Sequence, residues 1–377
     1  MKNGWKKVTV GQILQLEYGK PLGEPDRKPD GRYPVYGANG EKDRTDRFYC
    51  AKPSIIVGRK GSAGEVNLTG SRFWPLDVTF FATFDEKLYD LKFLYYLLGT
   101  LELQSLAKGV KPGINRNDVY SLDAKVPPLA EQKRIVGILD DAFNGIAKVK
   151  ANAEENLQNA RDLLSCELES TFVAHDHAWT TLLLGDACRL ITDGKHGDCN
   201  NEAGSGYFFL SAKDVKNGRL IYDNAREITK VDFEETHRRT NLEPGDILLT
   251  NAGTIGRIAI ADSDAKTRRT TFQKSVAVLK PKSDRISSRF AYYCLSAGMP
   301  KLVALSAGTA QKNLLLRDLK NHPISIPSSI NEQLKISQRL DRFTEDVERL
   351  ELGFKGKLNL LEELRKSLLH QAFTGQL

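Results

Sequence analysis

The chain repeats itself once, and no other feature limits its folds as strongly. Trp5-Lys6-Lys7-Val8-Thr9-Val10-Gly11-Gln12 is echoed by Trp179-Thr180-Thr181-Leu182-Leu183-Leu184-Gly185-Asp186. Lys52-Pro53-Ser54-Ile55-Ile56-Val57 runs into Gly61-Ser62-Ala63-Gly64; Glu243-Pro244-Gly245-Asp246-Ile247-Leu248-Leu249 runs into Gly253-Thr254-Ile255-Gly256. Phe93-Leu94-Tyr95-Tyr96 matches Phe290-Ala291-Tyr292-Tyr293. The offset grows from about 174 to about 201 residues, so the second copy carries extra loop residues. A duplicated unit buries the same face twice, which predicts two lobes of one fold.

Beyond each lobe the match holds a fixed register. Lys125-Val126-Pro127-Pro128-Leu129-Ala130-Glu131-Gln132 resembles Ser325-Ile326-Pro327-Ser328-Ser329-Ile330-Asn331-Glu332-Gln333, a strand exit followed by a helix start. The first helix carries a seam at Ile135, Leu139, Ala142, Ile146, Val149, Ala153, Asn156, Ala160 and Leu163. The second repeats it at Ile336, Leu340, Phe343, Val347, Leu350, Phe354, Lys357, Leu361 and Leu364. Steps alternate between four and three, the spacing of a coiled coil, over helices roughly 60 Å long. Antiparallel pairing with residue i opposite about 503 − i would set Ala160 against Phe343, small against large. It would also bury Asn156 and Lys357 without evident partners.

The lobes read as mixed α and β. Strands are expected at Ile55–Val57, Glu65–Leu68 and Val78–Phe84, and again at Ile247–Thr250, Arg257–Ala261 and Ser275–Leu279. Short helices are expected at Leu91–Leu98 and Ser287–Leu295. The resulting expectation is an α+β chain: two mixed α/β lobes separated by two long antiparallel coiled-coil helices, related by an internal pseudo-twofold repeat. The segments are 1–128, 129–176, 177–328 and 329–377.

Charge follows the same division. The net +7 is distributed as +5 over 1–130, −4 over 131–176, +6 over 177–329 and zero over 330–377. Two basic lobes point towards nucleic acid. No window of 18 apolar residues and no secretory h-region is present, so a cytoplasmic protein without a membrane partner is expected. The five cysteines form no C-x-x-C pair, and His175-Asp176-His177 lacks further ligands, so no metal site is expected.

Catalytic signatures are missing. There is no G-x-x-x-x-G-K-[ST], no G-x-G-x-x-G after a strand, no G-x-S-x-G and no Cys-His nucleophile pattern. Asp85-Glu86-Lys87 has a nuclease-like acid-x-Lys form, but Asp26-Arg27-Lys28 and Glu131-Gln132-Lys133 share it, so it singles out nothing.

What stands out instead are loops rich in Arg, Lys, Asn, Gln, Thr and Gly, the residues that touch phosphates and base edges. In the first lobe the candidates are Arg59, Lys60, Ser62, Lys111 and Arg116. In the second they are Lys195, His196, Asn251, Thr254, Arg257, Gln273, Lys274, Gln311, Lys312 and Asn313. Glycines at Gly61 and Gly253 also suit plain hairpin turns.

Two variable lobes, two equivalent long helices and the ending Gln371-Ala372-Phe373-Thr374-Gly375-Gln376-Leu377 resemble the specificity subunit of type I restriction–modification systems. Pro127-Pro128-Leu129-Ala130-Glu131-Gln132, Thr192-Asp193-Gly194-Lys195-His196-Gly197 and Gly308-Thr309-Ala310-Gln311-Lys312-Asn313 look like motifs of that family. The first lobe departs from it, with Tyr18-Gly19-Lys20-Pro21 in place of the Asp-Gly-Lys-His turn.

The resemblance implies a non-catalytic chain whose lobes each read one half of a bipartite, asymmetric site on double-stranded DNA. The helices would set the spacing and dock two methyltransferase subunits. Some family members also recruit two restriction (motor–nuclease) subunits. No cofactor is expected in this chain; S-adenosylmethionine would sit on the methyltransferase. The competing reading is a coiled-coil interaction scaffold with peptide-binding lobes.

Overall fold

The computed structural model describes residues 4–173, 179–306 and 313–377. It divides into two compact units, Met1–Glu154 with Lys355–Leu377 and Glu155–Phe354. Each unit holds one lobe and part of each long helix.

In the first lobe, β1 (Lys6–Thr9) leads through the short helix α1 (Val10–Ile13) into β2 (Gln15–Tyr18). A hairpin of β3 (Tyr33–Gly37) and β4 (Gly40–Thr45) follows, then β5 (Ile55–Gly58), β6 (Val66–Leu68), β7 (Trp74–Pro75) and β8 (Thr79–Thr83). Helices α2 (Leu91–Thr100) and α3 (Arg116–Tyr120) precede β9 (Asp123–Val126), which leads into the 45-residue α4 (Leu129–Val173).

The second lobe opens with β10 (Trp179–Leu183), α5 (Leu184–Ala187) and β11 (Cys188–Asp193). Next come β12 (Phe208–Leu210), the small hairpin β13 (Val215–Lys216) and β14 (Arg219–Leu220), β15 (Arg226–Glu227) and α6 (Lys230–Thr240). Then follow β16 (Ile247–Thr250), β17 (Ile258–Ile260), β18 (Thr270–Phe272), β19 (Val276–Pro281), α7 (Ser288–Ser306), α8 (Leu316–Lys320) and β20 (Pro323–Pro327). The 45-residue α9 (Ile330–Thr374) ends the chain.

Strand order, which the sequence did not reveal, is the same twice. The main sheet runs β2-β8-β5-β6 in one lobe and β11-β19-β16-β17 in the other, antiparallel throughout. A smaller sheet pairs a parallel couple, β3 with β7 and β12 with β18, alongside β4 or β15. In each lobe the entry strand pairs with the exit strand, β1 with β9 and β10 with β20. Strands β5 and β16 are buried along their whole length, because each is central in its sheet and covered on both faces.

The long helices keep the expected repeat but shift its phase. Ile135, Leu139, Ile146 and Val149 on α4, and Ile336, Leu340, Phe343, Val347 and Phe354 on α9, are buried or half-buried. Leu350 is 48% exposed, and Leu163 is 53% exposed. Beyond Ala153 the covered stripe continues at Leu157 and Leu164, and beyond Phe354 at Leu358; Asn156 and Lys357 face outward. The cause is geometric: a straight helix turns every 3.6 residues, so a strict 3.5 repeat drifts, and one extra four-residue step restores the stripe. The same step occurs in both copies and removes the two buried polar residues that the strict heptad demanded.

Contacts between the helices run antiparallel inside each unit. In the first, Arg134 donates to the Leu377 carbonyl at 2.9 Å and Lys150 pairs with Glu362 at 2.8 Å. In the second, Arg161 pairs with Glu351 at 3.4 Å and Arg339 with Glu167 at 3.3 Å. These contacts set residue i beside about 510 − i, one heptad from the expected 503 − i. A heptad slide preserves every a/d match, so seam periodicity alone does not select between the two registers.

Helices α2 and α7 are joined to the long helices alike in both units, although α7, at 19 residues, runs well beyond the expected Ser287–Leu295. Phe93 packs on Phe373 with ring centroids 5.2 Å apart, and Phe290 packs on Phe172 at 5.3 Å. Asp140 accepts from the Tyr96 hydroxyl at 2.6 Å and from Lys92 at 2.5 Å. Asp341 accepts from the Tyr293 hydroxyl at 2.7 Å and from Arg289 at 2.5 Å. Burial pushes both phenols up, Tyr293 to about 12.

Candidate nucleic-acid interface

At one end of each main sheet, four chain segments that are distant in sequence meet in a crown of loops. In the first lobe the Gly61 N–H donates to the Pro112 carbonyl and the Ile114 N–H to the Arg59 carbonyl, both at 3.0 Å. The Gly19 N–H donates to the Thr79 carbonyl at 3.1 Å and the Lys20 N–H to the Pro75 carbonyl at 2.8 Å. In the second lobe the Leu314 N–H donates to the Asn251 carbonyl at 2.8 Å, and the Gly194 N–H to the Val276 carbonyl at 3.2 Å. The Lys195 N–H donates to the Phe272 carbonyl at 2.7 Å.

The glycines explain why these segments approach so closely. A Cβ at Gly19 would lie 2.0 Å from the Leu76 carbonyl oxygen, and one at Gly194 would lie 1.9 Å from that of Phe272. Lobe 1 therefore lacks only the Asp and His of the Asp-Gly-Lys-His turn; its Gly19 performs the same packing. Gly61 and Gly253 have φ of 82° and 74° with open space around them, so they serve the turn itself.

The candidates of lobe 1 converge on this crown. Arg59 and Arg116 are half-buried, Ser62 is half-buried, and Lys60 and Lys111 are exposed. Both guanidinium groups lie over Tyr18, a residue that sequence reasoning passed over as a functional candidate. The available signal was an aromatic side chain at a strand end, immediately before the packing glycine.

Lobe 2 places its candidates less uniformly. Gln273 is half-buried, while Thr254 and Lys274 are exposed on the crown. Asn313 bridges to Ala252, whereas Gln311 and Lys312 lie outside the described residues.

Lys195 does not offer a free charge. Its ammonium donates to Asp232 at 3.1 Å and Glu235 at 3.0 Å, with only 18% of the side chain exposed. Both acids belong to α6, part of the extra residues of the second copy. Asp232 also accepts the Asn200 N–H at 2.8 Å, and that bond with the Lys195 charge holds its carboxyl near 2.

His196 contacts Asp193 at 3.1 Å, and Asp193 is held in turn by Arg239. Asn251 is buried rather than presented, with its Oδ1 unpartnered among the described residues. Arg257 turns aside: it donates to the Ala212 carbonyl at 3.2 Å and lines a cavity of about 460 Å³ with Lys216, Tyr292 and Ser296.

The crowns are thus polar, glycine-shaped loops on antiparallel sheets. The first presents Lys60 and Lys111 beside Arg59 and Arg116, a surface suited to contacting an extended polyanion, whereas the second presents Thr254, Gln273 and Lys274. No helix among the described residues is long and apolar enough to cross a membrane.

Known proteins match this architecture over its whole length. The family model described as "Type I restriction modification DNA specificity domain" matches twice, over residues 2–158 and 177–358. The Escherichia coli "Type I restriction enzyme EcoBI specificity subunit" is 26% identical, covering 100% of this chain and 86% of the relative.

The fold is shared with a solved chain from a study of complex assembly and conformational transition of the type I R-M system. That chain has a TM-score of 0.79 at 18% identity, over 100% of this chain and 99% of the other. It is shared also with the HsdS subunit from Thermoanaerobacter tengcongensis, at a TM-score of 0.56 and 18% identity, over 100% and 98%. With the model matched in both copies of the repeat, the chain belongs to the type I restriction–modification DNA specificity family.

Proposed function

We propose that this chain reads DNA sequence for a type I restriction–modification complex, each lobe recognising one half of a bipartite, asymmetric site. One observation carries the reading: the family model matches both copies, and each copy builds its crown from the same four segments. Peptide-binding lobes on a scaffold have no such support. Residues 1–128 and 177–328 are the readers; 129–176 and 329–377 are the spacer helices.

The spacer acts as an antiparallel coiled coil, supported by the covered stripe and by the ion pairs inside each unit. A rigid spacer between two readers restricts recognition to tracts a fixed number of base pairs apart. Leu163, Leu350, Leu352, Leu360 and Leu364 remain exposed on these helices, apolar surface that suits docking of two methyltransferase subunits, one for each copy of the repeat. Two restriction subunits would join through that assembly. Base flipping and S-adenosylmethionine belong to the methyltransferase, consistent with a chain that carries no catalytic motif.

The test is an adenine-methylation map of cells carrying the cognate methyltransferase, with and without this gene. Loss of one bipartite motif on deletion is expected. An unchanged map, together with no salt-dependent DNA binding by the reconstituted complex, would overturn the reading.

A further inference from the structure

The two crowns share a scaffold but differ in chemistry at matched positions. Where the first has Tyr18, Arg59 and Phe80, the second has Asp193, Asn251 and Ala277. The Arg59 guanidinium carbon lies 4.9 Å from the Tyr18 ring centroid and 6.0 Å from that of Phe80. The guanidinium carbon of Arg116 lies 5.2 Å from the same Tyr18 ring, which Phe80 supports at 5.1 Å.

Each arginine is also tethered at one nitrogen. Arg59 Nη1 donates to the Asp77 carbonyl at 3.0 Å, and Arg116 Nη1 reaches the Leu16 carbonyl at 3.5 Å. Neither guanidinium has a carboxylate partner among the described residues. Tyr18 itself is 44% exposed.

We propose that Arg59 and Arg116 read guanine in the half-site of the first lobe, with Tyr18 as the residue that positions them; this rests on the DNA-reading function above. A phosphate contact needs only a positive charge, which Lys60 and Lys111 supply on the same loops. Guanidinium groups held over an aromatic ring and tethered at one nitrogen keep their remaining N–H groups in fixed directions. That arrangement matches the O6 and N7 acceptors that guanine presents in the major groove. Lysine keeps the charge but loses the fork. The second lobe has a buried carboxamide, Asn251, and a paired carboxylate, Asp193, at the matched positions, so its half-site is read by different groups.

The test uses the full chain with its cognate methyltransferase subunits, comparing wild type with Arg59→Lys, Arg59→Ala, Arg116→Lys, Tyr18→Ala and Tyr18→Phe. Methylation maps and competition binding against single-base variants of the site are the readouts. Each Lys variant is expected to lose about tenfold or more discrimination at one G·C pair, always within the same half-site. Tyr18→Ala should relax the same pairs, and Tyr18→Phe should restore them.

The proposal is overturned if the Lys variants leave the motif unchanged while Arg59→Ala weakens all sequences equally with a shallower salt slope, the signature of phosphate contact. It is overturned equally if the Lys-sensitive half-site contains no G·C pair. A wild-type complex that binds no DNA would instead refute the DNA-reading function itself.

Discussion

Gln132 and Gln333, equivalent residues of the two repeats, make the same three hydrogen bonds. The Gln132 Oε1 accepts the Asp90 N–H at 2.8 Å, and its Nε2 donates to the carbonyls of Leu88 at 3.0 Å and Pro127 at 2.9 Å. Gln333 accepts the Ser287 N–H at 2.9 Å and donates to Arg285 at 2.9 Å and Pro327 at 3.0 Å. Both side chains are buried. Each carboxamide thus satisfies main-chain groups of the loop before α2 or α7 and of the proline that ends the approach to the long helix.

Replacing either glutamine by leucine should therefore strand a buried N–H and two carbonyls, destabilising the unit concerned by about 2–4 kcal/mol. Amide exchange is the direct measurement. Gln132→Leu should accelerate exchange at Asp90 and in α2, and Gln333→Leu should do so at Ser287 and in α7.

The close approach at Gly19 and Gly194 predicts a lobe-specific loss. Gly19→Ala and Gly194→Ala place a methyl group inside van der Waals distance of a carbonyl oxygen, an overpacking that costs about 1–3 kcal/mol. Each is expected to degrade recognition of one half-site only, a different one for each variant. Competition binding with half-site variants checks this.

Asp232 ties α6 to Lys195 and to the Asn200 main chain, and its carboxyl is held near 2 in the folded state. Unfolded, it would titrate at about 3.9. A carboxylate depressed by folding stabilises above the unfolded value and loses that contribution as pH falls towards the folded one. Urea midpoints of wild type and Asp232→Asn should therefore differ at pH 6 and draw together between about pH 4 and 2.

The shifted helix stripe separates two neighbouring residues. Asn156→Ala, on the exposed side, should change stability by about 0.5 kcal/mol or less, whereas Leu157→Ala should cost about 1–2 kcal/mol. Thermal melts of both variants decide between this stripe and a strict heptad. The equivalent pair Lys357 and Leu358 should behave alike.

Inserting seven residues at matched places in α4 and α9 retains the apolar stripe and lengthens the spacer. The methylation map should then show the same two half-sites with more base pairs between them. An unaltered separation would show that the helices do not set it.

The duplication, the α+β class and the helix starts, expected at 129 and 329 and found at Leu129 and Ile330, were legible because they depend on local signals. Apolar periodicity, proline at a strand exit and fixed-register matches are carried by neighbouring residues. Strand order was not legible, since antiparallel pairing of β8 with both β2 and β5 joins residues far apart in the chain. The helix register was underdetermined because a heptad slide leaves the seam matched.

Among the candidate residues, amino-acid type indicated which side chains could meet a polyanion, and no more. Arg59 and Arg116 looked alike to Lys195 and Arg257 as basic loop residues, yet the first two are held over Tyr18 while Lys195 is neutralised by α6. By itself, then, the sequence determined the repeat, the class of fold and the kind of surface, all consequences of composition and short-range pattern. Tertiary structure alone decided register, sheet order and which cations stay unpaired, because each depends on groups that only folding brings within hydrogen-bonding distance.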